Sequence, residues 1–382
     1  MNIAFFTNNY LPNIYGAAVS VESFRKEFIK RGHRVFVFAP SWGSFKDTSP
    51  DIFRYPSIIN TYKIRFPVSF PYSPRINKII KNLKIDIVHS HHPNVLGRVA
   101  YNVAKKKNVP LVFTWHTLYN QYTHFVPILP EFLSSMLIIG NARNYANRAS
   151  EVIAPTQTAA NIIRSWGVTN KNLDIVPTGI DEERFPQEGS GRSELRKSLG
   201  ISDENLVLVS VSRLSKEKNV EFLLQSLIPV LKSRANLRFL MVGEGHLTNR
   251  LNIMAAKAGL QKRVIITGKE ETHNLGEYYA AGDIFVYASK SETQGLVVAE
   301  AMYMGLPVVA IASTGISDLI ENGVTGLTVA DDAEKFAAGV EELIDNKNLR
   351  QSLAANAHEV AHKNYTSSVC AEKMLKVYEK LL

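Results

Sequence analysis

The chain has 382 residues, 45% of them apolar, and one cysteine, Cys370. That length favours two domains over one core, the single cysteine excludes an intrachain disulfide, and no run approaches the roughly 18 apolar residues of a spanning helix. The net charge of +9 is unevenly held, +13 over residues 1–176 and −4 over 177–382, so the first half suits an anionic surface, an acidic substrate or nucleic acid.

Strands and helices alternate from the start. The run 3–7 reads as a strand, a loop with Asn8, Asn9, Pro12 and Gly16 follows, and 19–30 reads as a helix stopped by Gly32. With the strand RVFVFA at 34–39 this makes a βαβ unit of the parallel-sheet kind. Further strands are expected at 85–90, 111–114, 152–154 and 173–176, and helices at 75–84, 94–106, 130–149 and 156–166. The longest apolar stretch, Phe132 to Ile139, is far too short to span a bilayer. No basic segment followed by a long apolar one opens the chain, so no secretory leader is expected. A seam follows at Pro177-Thr178-Gly179-Ile180-Asp181, and the polar stretch 186–198, with Gly189, Ser190 and Gly191, reads as a loop. The pattern then restarts, with strands at 206–211, 237–242, 264–267, 284–287 and 307–310 and a last helix from 368 to 382. The fold class is therefore α/β: two Rossmann-like, doubly wound parallel-sheet domains facing a central cleft, joined near 178–182. In open sheets of this kind ligands bind outside the carboxyl ends of the strands.

The stretch around which the rest is organised is Ser291-Glu292-Thr293-Gln294-Gly295-Leu296-Val297-Val298-Ala299-Glu300. It joins the strand at 284–287 to an apolar helix reaching Gly305. Such a turn aims backbone N–H groups and a positive helix end outward, which attracts an anion. Glu292 and Glu300, spaced E-x7-E, cannot hold that anion; they suit hydroxyl groups. A diphosphate between hydroxyl-bearing ends describes a nucleotide sugar. Ser212-Arg213-Leu214-Ser215-Lys216-Glu217-Lys218-Asn219 follows the first strand of the second domain, where Arg213 and Lys218 suit a diphosphate. Thr114-Trp115-His116-Thr117 ends a strand and turns His116 to the cleft, and Gly16 lets backbone approach a ligand. Competing motifs are weak. There is no P-loop, and Gly243-Glu244-Gly245 lacks the third glycine of a dinucleotide fingerprint. His89, His91 and His92 have no cysteine or acidic partner nearby for zinc, and read as polar residues at a strand end facing the cleft.

Taken together, these stretches resemble the retaining nucleotide-sugar glycosyltransferases of the GT-B fold (the family-4 type, glycosyl transferases group 1), which include sucrose synthases, phosphatidylinositol mannosyltransferases and diacylglycerol glucosyltransferases. The resemblance covers nearly the whole chain: Gly16, Asp86-Ile87-Val88-His89-Ser90-His91, His116, Pro177-Thr178-Gly179-Ile180-Asp181, Ser212-Arg213-Leu214 with Lys218-Asn219, Val242-Gly243-Glu244-Gly245, Gly268, and E-x7-E ending in Glu300-Ala301-Met302. It implies domains at 1–178 and 179–364, with a terminal helix at 365–382 crossing back onto the first. It implies that Arg213 and Lys218 bind the donor diphosphate and stabilise departing charge, and that Glu292 holds the sugar hydroxyls. Gly295, Leu296 and Val297 would offer N–H groups, Glu300 would accept from the ribose, and His116 would contact the sugar near its reacting face. Gly268 and Lys269 would meet the base, and Gly16 would close over the phosphates. Preorganised cations at the leaving group lower the barrier, so no metal or cofactor is expected. Retention is implied too. No carboxylate nucleophile can be placed, which leaves same-face substitution within an ion pair.

The acceptor stretch His116-Thr117-Leu118-Tyr119-Asn120-Gln121-Tyr122-Thr123-His124-Phe125 and the sequence Glu292-Thr293-Gln294-Gly295-Leu296 are similar to the glycolipid branch. A departure is Asn8-Asn9, where that branch often carries an acid. The helix at 75–84 places Ile76, Ile79, Ile80 and Leu83 on one face and Arg75, Lys78, Lys81 and Lys84 on the other, a basic amphipathic pattern suited to an anionic bilayer, although an outer helix of an α/β domain has the same pattern. Residues 64–74 read as an aromatic, proline-rich loop that also suits lipid. The expected protein is a cytoplasmic enzyme held peripherally at the inner face of the membrane. It moves a hexose, first of all glucose from UDP-glucose, to a diacylglycerol-type lipid, with Tyr119 and Tyr122 near the acceptor. The runner-up is a soluble or polyprenyl-linked glycan acceptor, with GDP-mannose as a possible donor. No nucleic-acid recognition motif is present, and no such partner is expected.

Overall fold

The computed structural model describes residues 1–13, 16–60, 66–118, 131–185, 191–268 and 275–382, with backbone only for Asn60, Phe66 and 131–134. Internal contacts divide the chain into two units, Met1–Gly179 with Ser367–Leu382, and Ile180–Thr366.

Unit 1 runs β1 (Asn2–Phe6), α1 (Gly16–Lys30), β2 (Arg34–Pro40), β3 (Ile52–Tyr55), β4 (Ser57–Asn60), β5 (Phe66–Ser69), α2 (Pro74–Asn82), β6 (Ile87–Ser90), α3 (Leu96–Lys107), β7 (Leu111–Thr114), α4 (Glu131–Ala146), β8 (Glu151–Ala154), α5 (Gln157–Ser165) and β9 (Leu173–Ile175). Among the described residues a seven-stranded sheet has the order β3-β2-β1-β6-β7-β8-β9, every pair parallel. Because both faces are covered, the strands are apolar on both sides. In β2, Phe36 and Phe38 enter one core and Val35, Val37 and Ala39 the other.

Unit 2 repeats the plan with α6 (Arg192–Ser198), β10 (Leu206–Val211), α7 (Val220–Ser233), β11 (Leu237–Val242), α8 (Thr248–Lys257), β12 (Val264–Ile266), α9 (Leu275–Ala281), β13 (Ile284–Tyr287), α10 (Leu296–Tyr303), β14 (Val308–Ile311), α11 (Ile316–Leu319), β15 (Leu327–Val329), α12 (Ala333–Asp345) and α13 (Lys347–Asn364). Its sheet order is β12-β11-β10-β13-β14-β15, again parallel. The last helix, α14 (Ser367–Glu379), returns to unit 1. Cys370, Ala371, Met374 and Tyr378 recur at helical spacing and enter the core with Phe24 and Phe28 of α1. The fully buried Tyr378 contributes on the order of 2–3 kcal/mol through its ring.

Four sequence expectations are corrected. The stretch read as a loop over 186–198 contains α6, because Arg196 is buried and Arg192 half-buried, both held by an acid. Both reach Asp283, at 2.6 and 2.7 Å, and Asp283 also accepts from the Val207 amide. The stretch read as a loop over 64–74 contains β5, which pairs antiparallel with β4, Ile58 opposite Val68. Pro67 is tolerated there because a two-stranded ribbon has outer edges that need no N–H donor. The apolar side of α2 is not available to lipid, since Ile76 and Ile80 lie in the core and only the basic side is exposed. Gly16 is the first residue of α1, not a loop residue, and a Cβ there would meet nothing within 4 Å.

Candidate active site

Of the candidate residues in unit 2, Arg213, Lys218 and Glu292 gather at the carboxyl ends of β10 and β13. After β10 the chain makes a short 3-10 turn (Lys216–Lys218), and Asn219 at φ +55° caps α7. Arg213 sits 3.1 Å from Glu217, with 36% of its side chain exposed. Lys218 donates to Glu292 Oε1 at 2.5 Å, both side chains largely buried. The Tyr287 hydroxyl, at the end of β13, donates to the same oxygen at 2.6 Å. Burial pushes the Glu292 carboxyl up, but the Lys218 charge and the hydrogen bonds of Lys218, Tyr287 and Ser289 outweigh it and hold the group below the usual carboxylate range. Burial likewise raises Glu217, and a Ser215 hydrogen bond, a backbone amide and the two cations bring it below its ordinary value. The Ser291 hydroxyl ties the Glu292 loop to the Glu217 carbonyl at 3.2 Å. This part of the site thus presents two cations, each against a carboxylate, beside the amino terminus of α10.

Glycine geometry fixes how closely these loops approach. Gly295, at φ +83°, caps α10, and a Cβ there would lie 2.6 Å from the Ile316 side chain. Leu296 and Val297 open the helix, half-buried, so their amides belong to the unsatisfied first turn. Gly243 and Gly245 have a role that their spacing did not disclose. A Cβ at either would fall about 2 Å from a backbone oxygen, of Ser212 or of Leu214. Leu214 and Glu244 are bonded through main chain at 2.9 Å, so these glycines press the Arg213 loop into position. Gly268, at φ +85°, bridges to Gly243. Lys269 lies outside the described residues, as do Tyr119 and Tyr122.

Glu300 is separated from this group. It is buried within α10 and accepts from the Tyr279 hydroxyl at 2.7 Å. Burial raises its pKa against the opposing influence of Arg184 and the Tyr279 bond. Tyr279, Tyr287, Glu217, Arg184 and Gly315 are the neighbours that sequence reasoning missed. A tyrosine ending a buried strand needs a partner for its hydroxyl, and that was the available signal for Tyr287. Gly315, whose Cβ would strike the backbone of 292–294 at 2.8–2.9 Å, carried no local signal.

In unit 1, His116 follows β7 and its Nε2 lies 2.9 Å from His91 Nδ1. His89 and His91, expected as polar residues at a strand end facing the cleft, are instead buried within unit 1. Among the described residues no group of three or more His, Cys, Asp or Glu is arranged to hold a metal ion. The unusual Asn8 has a structural reason. Its Nδ2 donates to the Asn94 carbonyl at 2.9 Å and its Oδ1 accepts from the Leu96 amide at 3.1 Å, at the head of α3. A carboxylate in its place would lose the donor and face a carbonyl. Arg75, Lys78, Lys81 and Lys84 are all exposed. Ile58, Val68, Phe70 and Tyr72 are exposed as well, Ile58 to 60% and Tyr72 to 66%, and Ile58 pairs across the ribbon with Val68. No helix among the described residues is long and apolar enough to cross a membrane.

Comparison with known proteins places this geometry. The family model Glycosyltransferase Family 4 matches residues 14–184, and Glycosyl transferases group 1 matches 191–360. The chain is 29% identical to an alpha-monoglucosyldiacylglycerol synthase of Streptococcus pneumoniae, over 97% of this chain and 84% of that one. It is 28% identical to the synthase of the same name from Acholeplasma laidlawii, over 100% and 98%. Anabaena HepE, solved in complex with UDP and glucose, superposes with a TM-score of 0.80 at 23% identity, covering all of both chains.

Proposed function

This chain belongs to the GT-B glycosyltransferases that join a Family 4 domain to a group 1 domain, a family of hexosyltransferases, and from that premise we propose that it transfers glucose from UDP-glucose to a diacylglycerol-type lipid at a membrane surface. The observation that carries the reading is the Lys218–Glu292 contact at the head of α10, beside Arg213. It puts cations suited to a diphosphate and a carboxylate suited to sugar hydroxyls in one place. As the glycosidic bond to phosphate breaks, negative charge grows on the leaving diphosphate. Arg213, Lys218 and the first amides of α10 meet that charge with dipoles and cations already in place, each worth a few kcal/mol, and no metal ion is needed for that step. Glu292, ionised and fixed through Oε1, keeps Oε2 for a hydroxyl of the sugar. The lipid hydroxyl then attacks from the face the diphosphate leaves and passes its proton to the departing phosphate oxygen, which retains the anomeric configuration. Glu300 receives the ribose, and Gly268 with Lys269 the base. The glycolipid acceptor is supported by the two relatives that are glucosyldiacylglycerol synthases, and by the exposed Ile58, Val68, Phe70 and Tyr72 together with the exposed basic side of α2. Such a surface binds an anionic bilayer through both apolar and charged contacts.

A donor screen tests this. Thermal shift with UDP-glucose, UDP-galactose and GDP-mannose, with and without diacylglycerol vesicles containing anionic lipid, should show stabilisation by UDP-glucose and a glucosylated product in the lipid phase. Stabilisation by GDP-mannose instead, or product only with a soluble glycan, would replace the donor or the acceptor. Arg213→Ala should keep the melting temperature and cut turnover about 10²–10³-fold; near-normal turnover would remove Arg213 from the site.

A further inference from the structure

The last inference concerns unit 1 and rests on the reading that His116 contacts the transferred sugar. Its structural basis, however, lies wholly in the packing of that unit. Three imidazoles form a column at the carboxyl ends of β6 and β7. His89 and His91 stack at 4.3 Å and His91 and His116 at 5.2 Å, each pair 21° from parallel. Phe5, fully buried, meets His89 and His91 edge-on at 5.4 and 5.1 Å, so neither ring turns without displacing it. His89 has hydroxyl partners on both nitrogens, Tyr378 at 2.5 Å on Nδ1 and Thr114 at 2.7 Å on Nε2. Among the described residues His91 has a partner on one side only: His116 on Nδ1, while its Nε2 is buried without one.

A contact between two ring nitrogens holds one proton, and the choice of owner decides both tautomers. If His116 Nε2–H were the donor, the proton of a neutral His91 would sit on Nε2, buried with no acceptor among the described residues. A doubly protonated His91 would place a proton there too, and add a buried charge. Donation from His91 Nδ1–H leaves only a bare lone pair on Nε2, and a buried acceptor without a partner is better tolerated than an orphaned N–H. We infer that His91 is a neutral Nδ1–H imidazole that donates to His116 Nε2, and that it thereby holds His116 as its own Nδ1–H tautomer. Burial, with the neighbouring imidazoles behind it, keeps both rings far below the usual histidine pKa, in keeping with this arrangement. His91 is then a positioning residue. It occupies the basic nitrogen of His116, so His116 meets a ligand as a fixed neutral donor through Nδ1–H and not as a base.

Long-range proton–nitrogen NMR of the histidine-labelled protein near neutral pH tests this without any turnover. His91 and His116 should each show a protonated Nδ1 and a bare Nε2; a protonated Nε2 on His116 in the wild type would overturn the inference. His91→Leu should shift His116 toward the Nε2–H form and lower kcat about 10²-fold, as misplacement of a contacting group does, with the donor KM unchanged. His91→Asn, whose Nδ2–H stands near the imidazole Nδ1, should restore most of kcat. A Leu variant with unchanged His116 signals and unchanged kcat would sink the idea. If the wild type turns over no nucleotide sugar, the proposed activity fails, and the tautomer measurement still decides this point by itself.

Discussion

Each unit buries a polar cluster at the carboxyl end of its parallel sheet, and the two clusters solve the cost of burial in opposite ways. In unit 2, Glu292 stays charged because Lys218 at 2.5 Å and the Tyr287 hydroxyl at 2.6 Å repay its desolvation. In unit 1, His89, His91 and His116 have no carboxylate against them among the described residues, and burial drives their pKa values down, His89 to about 3. One cluster is built to keep charge and the other to exclude it.

The largest break in this contrast should come from Lys218→Met. It leaves Glu292 buried without its cation, which costs roughly 3–5 kcal/mol, and turnover should fall about 10³-fold. Adding Glu292→Gln should recover the melting temperature but not the turnover; recovered turnover in the double variant would mean that Lys218 serves only to neutralise Glu292. A smaller effect separates the units by pH. Unfolded histidine binds a proton at about 6.5 and folded His89 only at about 3. The unfolded state therefore holds more protons in that window, and stability falls as pH falls through it. At pH 5 this is about 2 kcal/mol for His89 alone. Glu292 acts later: its stabilisation is present above the ordinary carboxylate value and is lost only as pH drops through its lowered one. Hydrogen exchange between pH 7 and 5 should show β6 amides losing protection while β13 amides keep theirs, and His89→Gln should flatten the loss. Equal loss in both sheets would erase the contrast. The smallest effect sharpens the charge difference at the surface. Lys78→Glu with Lys81→Glu should weaken binding to anionic vesicles by about 1 kcal/mol or more per residue, and leave donor binding alone. Unchanged vesicle binding would assign the basic side of α2 to solubility.

The central strands were legible because a parallel sheet covered on both faces needs continuous apolar runs. RVFVFA at 34–39, LVFT at 111–114 and LVLVSV at 206–211 announce themselves, and the structure has strands there. Edge elements were not. β3 (IFRY) and β15 (LTV) are short and only partly buried, and β5 carries a proline. α6 looked like a polar loop because its arginines spend their charge on Asp283, 87 or more residues away. Arg213, Lys218, Glu292 and Gly295 could be named in advance, since they stand within a few residues of a strand end or a helix start, and local rules govern those places. By itself, then, the sequence determined where the sheets run and which charged side chains stand at their carboxyl ends, because hydrophobic period and turn chemistry act over a few residues. Only the tertiary structure decided that Lys218 faces Glu292, that Tyr287 holds the same oxygen, that Gly243 and Gly245 press on the Arg213 loop, and that His91 meets His116. Apart from Tyr287, five residues before Glu292, those pairings join segments 25 to 74 residues apart, and what selects the polar ones is the cost of burying a polar group without a partner.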